Sequence, residues 1–265
     1  INTNLASLNA QRNLVVNTAA LGKSVQRLSS GLRINAAADD AAGLSISEKL
    51  RAHIRGMNQA IRNAQDGISL IQTAEGGLTE IGAILTRMRE LAQQAANGTL
   101  DEEARGALDN EFQQMRSEID RIVNVTEFNG IRLINGSQSV TGITLQVGFR
   151  DTGDDRITVL SGVGTTTASA LGITGDHSAI ISAAQAASVL TVIDRAIATV
   201  ASRRGTLGAV QNRLDSTISN LKIAPENFSA ADSRIREADF AAETAVFTRN
   251  QILVQAATAS LAQAN

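Results

Sequence analysis

The sequence predicts a mainly α-helical protein, an elongated bundle of long antiparallel helices with a small β-hairpin region. Three observations lead to this fold class. Apolar residues recur every three or four positions over stretches much longer than an ordinary globular helix. Pro225 is the only proline in 265 residues, and a proline disfavours a helix interior by about 3 kcal/mol. Aromatic residues make up 2% of the chain, so its core must be aliphatic, which suits closely packed helices.

Both ends of the chain carry amphipathic helical patterns. The apolar stripe near the beginning consists of Leu14, Leu21, Val25, Leu28 and Leu32, and the Ala-rich segment at the other end carries Val246, Phe247, Leu253 and Leu261. Two such helices bury little area alone, and helices are stable mainly through packing. We therefore expect residues 1–39 and 237–265 to be disordered in the monomer and to fold on polymerisation, through these nine side chains.

Asp39 and Asp40 stand directly before a helix that is expected to begin near Ala41. Two neighbouring carboxylates have two interpretations, a metal or acid pair and a helix N-cap. The cap is the commoner use, because a carboxylate accepts hydrogen bonds from the free N–H groups of the first turn and favours the helix dipole. We expect one of the two aspartates to cap the helix.

The helical period is best sustained from Leu50 to Ala95, with Glu75 as its one polar interruption. At about 1.5 Å per residue, this helix would be roughly 70 Å long. A polar break at 96–99 separates it from a second helix, whose N-terminal end Asp101 and Glu102 favour through the helix dipole. We expect the second helix to return antiparallel along the first.

The apolar period changes in the middle of the chain, near 128–163. Ile143, Leu145 and Val147 alternate with polar residues, and a turn-like segment at 151–155 leads to a second apolar run at 157–160. This pattern predicts a β-hairpin. The Gly-, Thr- and Ser-rich stretch near 161–178 is predicted to be a short surface loop.

Heptad-spaced apolar residues follow between 189 and 221. Ile193, Val200, Leu207 and Leu214 recur at intervals of seven, which is typical of a seam buried on partner helices. A separate, last helical segment is expected from Ser229 onward, after Pro225.

Composition argues against several classes of function. The net charge is −2 and basic residues are dispersed among acids, which does not suit a nucleic-acid partner. The chain has no cysteine, and His53 and His177 are far apart without metalloprotease spacing. The sequence contains no apolar run of about 18 residues, so we expect no membrane-spanning helix. The first residues lack the pattern of a cleaved signal peptide. With no nucleophile–base pair or phosphate-binding glycine loop, we expect neither an enzyme nor a cofactor or metal.

Seven motifs, in order along essentially the whole chain, resemble the signatures of bacterial flagellins. They are LSSGLRIN at 28–35, DDAAGL at 39–44, NAQDGIS at 63–69, TAEG at 73–76, RMRELA at 87–92, LGAVQNR at 207–213 and LAQAN at 261–265.

The resemblance implies a secreted, extracellular structural subunit that self-assembles into the flagellar filament for motility. Residues 1–39 and 237–265 would form D0, the coiled-coil-like helices of the inner tube, and residues 40–236 would form the helical rod D1. The large outer domains of many members are missing, as in a short core-only flagellin. The implied partners are other flagellin subunits, an export chaperone, and the hook-associated junction and cap proteins.

The motif at 87–92 is similar to the part of the family that host Toll-like receptor 5 recognises. Arg87, Leu91 and Glu111 match the receptor-contacting positions, with Leu91 expected to face outward beside Arg87 as an exposed hot spot. An ordinary solvated helix face is the alternative for these charged residues. The alternative for the whole chain is a flagellin-like cell-surface protein that binds a polysaccharide, although its few aromatic side chains offer little surface for sugar stacking.

Overall fold

The computed structural model describes residues 4–264. Its elements in chain order are α1 (Leu5–Ser30), α2 (Ala41–Ala95), α3 (Glu102–Val125), β1 (Glu127–Phe128), β2 (Ile131–Arg132), β3 (Ile143–Gln146), β4 (Arg156–Val159), α4 (Ala183–Arg236) and α5 (Phe240–Ala264). The prediction of a mainly α-helical chain with a small hairpin region is therefore confirmed.

The chain divides into two compact units. Unit 1 comprises Ile1–Arg55 and Ile223–Asn265, and unit 2 comprises Gly56–Lys222. The division thus falls inside α2 and α4, whereas the sequence placed the domain boundary at 39/40 and 236/237. Residues 1–3 and 265 of the predicted terminal domain lie outside the described residues.

Unit 2 is built around a continuous aliphatic core. The unit 2 parts of α2 and α4, together with α3, contribute side chains such as Leu85, Phe112 and Leu207, which are fully buried. The heptad residues Ile193 and Val200 of α4 lie in the same core. Burial along one stripe of each helix explains why the apolar period persists over so many residues.

Among the described residues, one helix, α4, is long and apolar enough to cross a membrane by length and composition alone. Its most apolar window has a mean hydropathy of 1.2, and 33% of that window is buried. The sequence analysis expected no such stretch. Val189, Val192 and Ala196 of this helix lie in the unit 2 core, and a core helix passes the same test.

The predicted β-hairpin is confirmed. Strands β3 and β4 pair antiparallel, with Ile143 opposite Val159 and Gln146 opposite Arg156. A second hairpin, β1–β2, was not predicted, because its two-residue strands are too short to show an alternating pattern. Its turn consists of Asn129 and Gly130, with φ of 50° and 76°, and positive φ at both central residues is typical of the type I′ turn that Asn-Gly favours.

The prediction that 161–178 is a surface loop is wrong for five of its 18 residues, whereas eight others are exposed. Val163, Thr166, Ala168 and Ile173 are buried. Neighbouring helices supply polar partners that make burial of the loop backbone possible. On α3, Asp120 accepts a hydrogen bond from the Ala168 N–H at 2.8 Å. On α4, the Arg203 guanidinium donates to the Thr165 carbonyl oxygen at 2.8 Å and to the Thr166 hydroxyl at 2.7 Å.

The expected helix break at Pro225 is also wrong. Helix α4 continues through Pro225 to Arg236, and the break falls at 237–239. A single proline removes one backbone donor, a cost that packing of the flanking turns can offset. The Asp239 carboxylate instead accepts hydrogen bonds from the N–H groups of Ala241 and Ala242 at 2.9 and 3.1 Å, which starts α5.

Candidate assembly surfaces

Helices α1 and α5 pack on each other in unit 1, antiparallel and with near-heptad spacing, along what we call the α1–α5 seam. It consists of Ser7, Ala10, Leu14, Asn17, Leu21, Ser24 and Leu28 on α1, and Glu243, Val246, Phe247, Asn250, Val254, Ala257 and Leu261 on α5. Most of these side chains are only half-buried, and Ser24 is the one fully buried residue of the two helices as described. The seam is therefore a shallow one.

Polar groups interrupt the α1–α5 seam. The Asn250 amide donates to the Ser24 hydroxyl at 3.4 Å, and Arg27 Nη1 lies 3.5 Å from Glu243 Oε2. Arg27 Nε and Glu243 Oε1 are buried without a hydrogen-bond partner. Such groups favour one register of two helices over others, at a cost in stability.

Most of the residues predicted for polymerisation already have an intramolecular partner. Leu14, Leu21, Leu28, Val246, Phe247 and Leu261 belong to the α1–α5 seam. Val25 and Leu253 are 48% and 42% exposed, and Leu32 forms an isolated antiparallel bridge with Glu237.

A second apolar surface, which we call the outer face of α1, was missed by the sequence analysis. It consists of Leu5, Leu8, Val15 and Val16, which are 72, 48, 65 and 64% exposed. At 3.6 residues per turn, these four side chains lie on the side of α1 opposite the α1–α5 seam. The helical spacing of these four apolar residues is visible in the sequence, but the sequence analysis assigned only one apolar stripe to each terminal helix.

The chain between α1 and α2 is tied to the chain between α4 and α5. Gly31 caps α1 with φ of 70°, a left-handed conformation that glycine adopts without strain. Its carbonyl oxygen accepts from the Ala238 N–H at 3.0 Å, and the Arg33 N–H donates to the Arg236 carbonyl oxygen at 2.7 Å. Within unit 1, backbone hydrogen bonds thus join the segment that follows α1 to the segment that precedes α5.

The two aspartates before α2 have different contacts. Asp40 Oδ1 accepts a hydrogen bond from the Gly43 N–H at 2.8 Å, which is the geometry of an N-cap. Asp39 accepts from the N–H groups of Asn35 and Ala36 at 3.2 Å each, and its Oδ1 lies 2.7 Å from Lys23 Nζ. The hydrogen bond from Lys23, followed by those from the two backbone N–H groups, lowers the pKa of Asp39 from 3.8 to about 2. In the described part of the chain, no cluster of three or more His, Asp or Glu side chains is arranged to hold a metal ion.

Arg87 and Glu111 lie together on the surface of unit 2. Arg87 Nη2 is 2.8 Å from Glu111 Oε1, and Arg87 Nη1 is 3.0 Å from Glu90 Oε2. The two carboxylates, Glu111 first, raise the pKa of Arg87. The side chains of Arg87 and Glu111 are 47 and 40% exposed.

The expectation that Leu91 faces outward is wrong, because Leu91 is 1% exposed. It lies three residues after Met88 and directly before Ala92, both of which are fully buried. The buried arc of α2 is wide enough here to include Leu91, whereas the sequence analysis treated the stripe as a narrow line.

Long helices that pack along apolar seams, with a core in unit 2 and a shallow helical pair in unit 1, make this a mainly α-helical protein of the long-helix class. Residues 1–139 match the family model of the bacterial flagellin N-terminal helical region, and residues 190–265 match that of the C-terminal helical region. The chain belongs to the flagellin family, in a short form that has only the core.

Known flagellins are similar over the whole chain. The flagellin of Halalkalibacterium halodurans is 51% identical over 270 residues, which cover 100% of this chain and 95% of that protein. The flagellin of Bacillus subtilis is 45% identical over 291 residues, covering 100% of this chain and 96% of that protein. The crystal structure of Bacillus cereus flagellin has a TM-score of 0.52 and 34% identity, and the match covers 60% of this chain and 88% of that chain.

Proposed function

We propose that this chain polymerises through the outer face of α1, which packs on a second copy of the chain. As a flagellin, it is a structural subunit of the bacterial flagellar filament, and it assembles with other flagellin subunits. The observation that carries the proposal is that Leu5, Leu8, Val15 and Val16 remain exposed after α1 has paired with α5. Exposed aliphatic residues that share one face of a helix, here with Arg12 between Leu8 and Val15, mark interaction surfaces more often than singly scattered ones.

The free energy gained by burying the four apolar side chains of the outer face favours assembly. Full burial of one large aliphatic side chain contributes about 1.5–3 kcal/mol. Since the four residues of the outer face are about half to three-quarters exposed in the single chain, their burial would contribute roughly 4–8 kcal/mol per subunit before the entropic cost of association. In a filament each subunit repeats this contact, so a modest contribution per copy is sufficient.

A charge placed on the outer face of α1 tests the proposal. We expect Val16→Asp to prevent filament formation, because its carboxylate would be desolvated in the contact. The matched control is Val140→Asp, since Val140 is 89% exposed and lies in a turn of unit 2, outside the α1–α5 pair in sequence. Electron microscopy and sedimentation measure assembly, and circular dichroism checks that both variants fold. Filaments of Val16→Asp with the wild-type critical concentration would contradict the proposal.

We further propose that the chain is secreted and acts outside the cell without catalytic activity. The flagellar filament is extracellular, and exposed apolar helices need cover before assembly, which supports a role for an export chaperone. The hook-associated junction and cap proteins would contact the two ends of the polymer. Co-purification of this chain with the export chaperone tests the chaperone contact. We expect deletion of residues 240–265 to abolish the binding.

We propose that Toll-like receptor 5 contacts Arg87 and Glu111, without direct contact by the buried Leu91. Support comes from the motif at 87–92 and from the exposure of the two charged side chains. We expect the double variant Arg87→Ala, Glu111→Ala to lower the response of receptor-expressing reporter cells. The pair Arg121 and Glu118 on α3, which is 60 and 41% exposed, provides the matched control. An equal loss with both double variants would argue against a specific contact.

A further inference from the structure

In the turn between α2 and α3, an arginine side chain is hydrogen-bonded to the backbone of an Asn-Gly dipeptide. Asn97 and Gly98 are both exposed, and no atom outside the local chain lies within 4 Å of the position of a Gly98 Cβ. The Arg105 guanidinium donates to the Asn97 backbone carbonyl oxygen at 3.0 Å through Nη2, and its Nε donates to the Ala95 carbonyl oxygen at 3.0 Å. The guanidinium is thus held on the peptide group that joins Asn97 to Gly98.

We propose that Asn97 is a site of spontaneous, Arg105-assisted deamidation. In this reaction the Gly98 backbone nitrogen loses its proton to solvent base and attacks Cγ of Asn97. The new N–Cγ bond forms, the bond from Cγ to the amide nitrogen breaks, and ammonia leaves with a proton from water. Water then opens the resulting succinimide at either carbonyl group, which leaves an aspartyl or isoaspartyl residue at this position.

Arg105 lowers the barrier through the charge that develops in the first step. When the Gly98 nitrogen loses its proton, the negative charge is shared with the Asn97 carbonyl oxygen by amide resonance. A guanidinium already hydrogen-bonded to that oxygen stabilises the anion, since a charge-assisted hydrogen bond is stronger than a neutral one. The Thr99 N–H, 3.3 Å from Asn97 Oδ1, polarises the side-chain carbonyl group and so makes Cγ more electrophilic.

The chain contains two further Asn-Gly pairs that lack this arrangement. Asn129 and Gly130 form the turn of the β1–β2 hairpin with φ of 50° and 76°, and pairing of the two strands holds the turn closed against the rotation that brings nitrogen to Cγ. Asn135 is half-buried, and its Oδ1 accepts from the Ser137 N–H at 3.0 Å, as Asn97 Oδ1 does from Thr99, and from the Ser137 hydroxyl at 2.7 Å. Its backbone carbonyl oxygen accepts from the neutral hydroxyl of Thr165. The Asn97 and Asn135 sites therefore differ in the group that is hydrogen-bonded to the backbone carbonyl oxygen. The Asn129 and Asn135 sites are internal controls for the sequence Asn-Gly itself.

The modification would replace a neutral amide by a carboxylate just before the N-terminus of α3. Asp101, Glu102 and Glu103 already make this end acidic. The isoaspartyl product also adds a methylene group to the backbone of the turn, which would displace the carbonyl oxygen that Arg105 holds.

The experiment is incubation of the folded protein at mildly alkaline pH, followed by peptide mapping with mass spectrometry at all three Asn-Gly sites. We expect Asn97 to react fastest in the folded chain, and the three rates to converge in urea, because the selectivity comes from the fold. Equal rates at the three sites in the folded protein, or a faster rate at Asn129 or Asn135, would overturn the proposal.

Two variants separate the role of Arg105 from simple exposure of the turn. Arg105→Gln is expected to lower the rate at Asn97 by roughly tenfold with unchanged rates at the other two sites, and Arg105→Lys should retain part of the effect. Gly98→Ala, which has space for its methyl group, should suppress the reaction at Asn97 by hindering attack. An unchanged or higher rate in Arg105→Gln would show that exposure alone controls the reaction and would refute assistance by Arg105.

Discussion

The unit 2 core and the α1–α5 pair of unit 1 use the same helical periodicity with different results. In unit 2, side chains such as Leu85, Phe112 and Leu207 are fully buried. In the described part of unit 1, Ile34 is the only hydrophobic residue that is buried, and it lies outside both α1 and α5. An amphipathic stripe therefore predicts that a helix packs, but the number of neighbours decides how deeply its side chains are buried.

The difference follows from geometry and from the residues in the seam. Three helices, a hairpin and a buried loop surround the core of unit 2 on several sides, whereas each helix of the α1–α5 pair is covered by one partner. Asn17, Ser24 and Asn250 also occupy positions that an autonomous two-helix coil would fill with large aliphatic residues. The pair is thus suited to gain further partners, and unit 2 is suited to fold without them.

The largest effect is expected from truncation in the core of unit 2. Phe112→Ala should lower the free energy of unfolding by about 3–5 kcal/mol, because a fully buried aromatic ring is replaced by a cavity. Leu21→Ala in the α1–α5 seam should cost less than about 2 kcal/mol, since Leu21 is only half-buried. Urea unfolding followed by far-ultraviolet circular dichroism measures both values. Equal losses would show that the two regions are stabilised to the same degree.

The second prediction concerns Pro225, which lies inside α4 in unit 1. Pro225→Ala should raise the stability of this part of the helix by on the order of 1–3 kcal/mol, because it restores a backbone donor and removes the clash of the proline ring. The matched control is Asn227→Ala at an exposed position of the same helix, with an expected gain of a few tenths of a kcal/mol. Thermal unfolding measures the change. A lower melting temperature for Pro225→Ala would mean that the proline favours the native geometry.

The sequence was sufficient to predict the long helices, and its errors at the end of α4 have a local cause. The steps of three and four from Leu50 to Ala95 and the heptads from 189 to 221 correctly predicted helical structure there, although α2 begins earlier and α4 extends further at both ends. Pro225 was given too much weight as a helix breaker, and the stop that Asp239 marks was overlooked.

Burial was harder to predict than helicity. Leu91 lies at the edge of a stripe, where one-dimensional spacing cannot give the width of the buried arc. The loop at 161–178 has the composition of a surface segment, but five of its residues are buried, where Asp120 and Arg203, both distant in sequence, satisfy polar groups of its backbone. The outer face of α1 required knowledge of which stripe pairs with α5. The burial of Leu91 and of parts of the loop depends on contacts between segments, which no local pattern contains.

The third prediction compares the same cap chemistry in the two units. Asp101 accepts a hydrogen bond from the Ala104 N–H at 2.8 Å at the start of α3, and Asp40 makes the equivalent contact with Gly43 at the start of α2. Replacement of either aspartate by alanine should cost about 1 kcal/mol. Hydrogen exchange followed by mass spectrometry should show loss of protection in unit 2 for Asp101→Ala and in unit 1 for Asp40→Ala. Loss of protection throughout the chain in both variants would show that the two units unfold together.

The smallest expected effect is on the titration of Asp39 in unit 1. Its pKa of about 2 lies below the ordinary value of 3.8, so the stabilisation from the ionised carboxylate is fully present above pH 4 and is lost as the pH falls toward 2. Lys23→Gln should raise the pKa of Asp39, because it removes the largest cause of the shift, and should leave a smaller depression from the N–H groups of Asn35 and Ala36. Lys49→Gln is the control, since Lys49 forms no ion pair among the described residues.

Nuclear magnetic resonance of the aspartate carboxyl carbons measures this titration directly. Unit 1 has few buried contacts, so the pKa of Asp39 also reports whether the turn between α1 and α2 is ordered in the single chain. A pKa near 3.8 in the monomer and near 2 in the filament would mean that the contact between Lys23 and Asp39 forms only on assembly. A pKa near 2 in both states would instead mean that the turn between α1 and α2 is already ordered in the single chain. Polymerisation would then add contacts on the outer face of α1 without forming the turn.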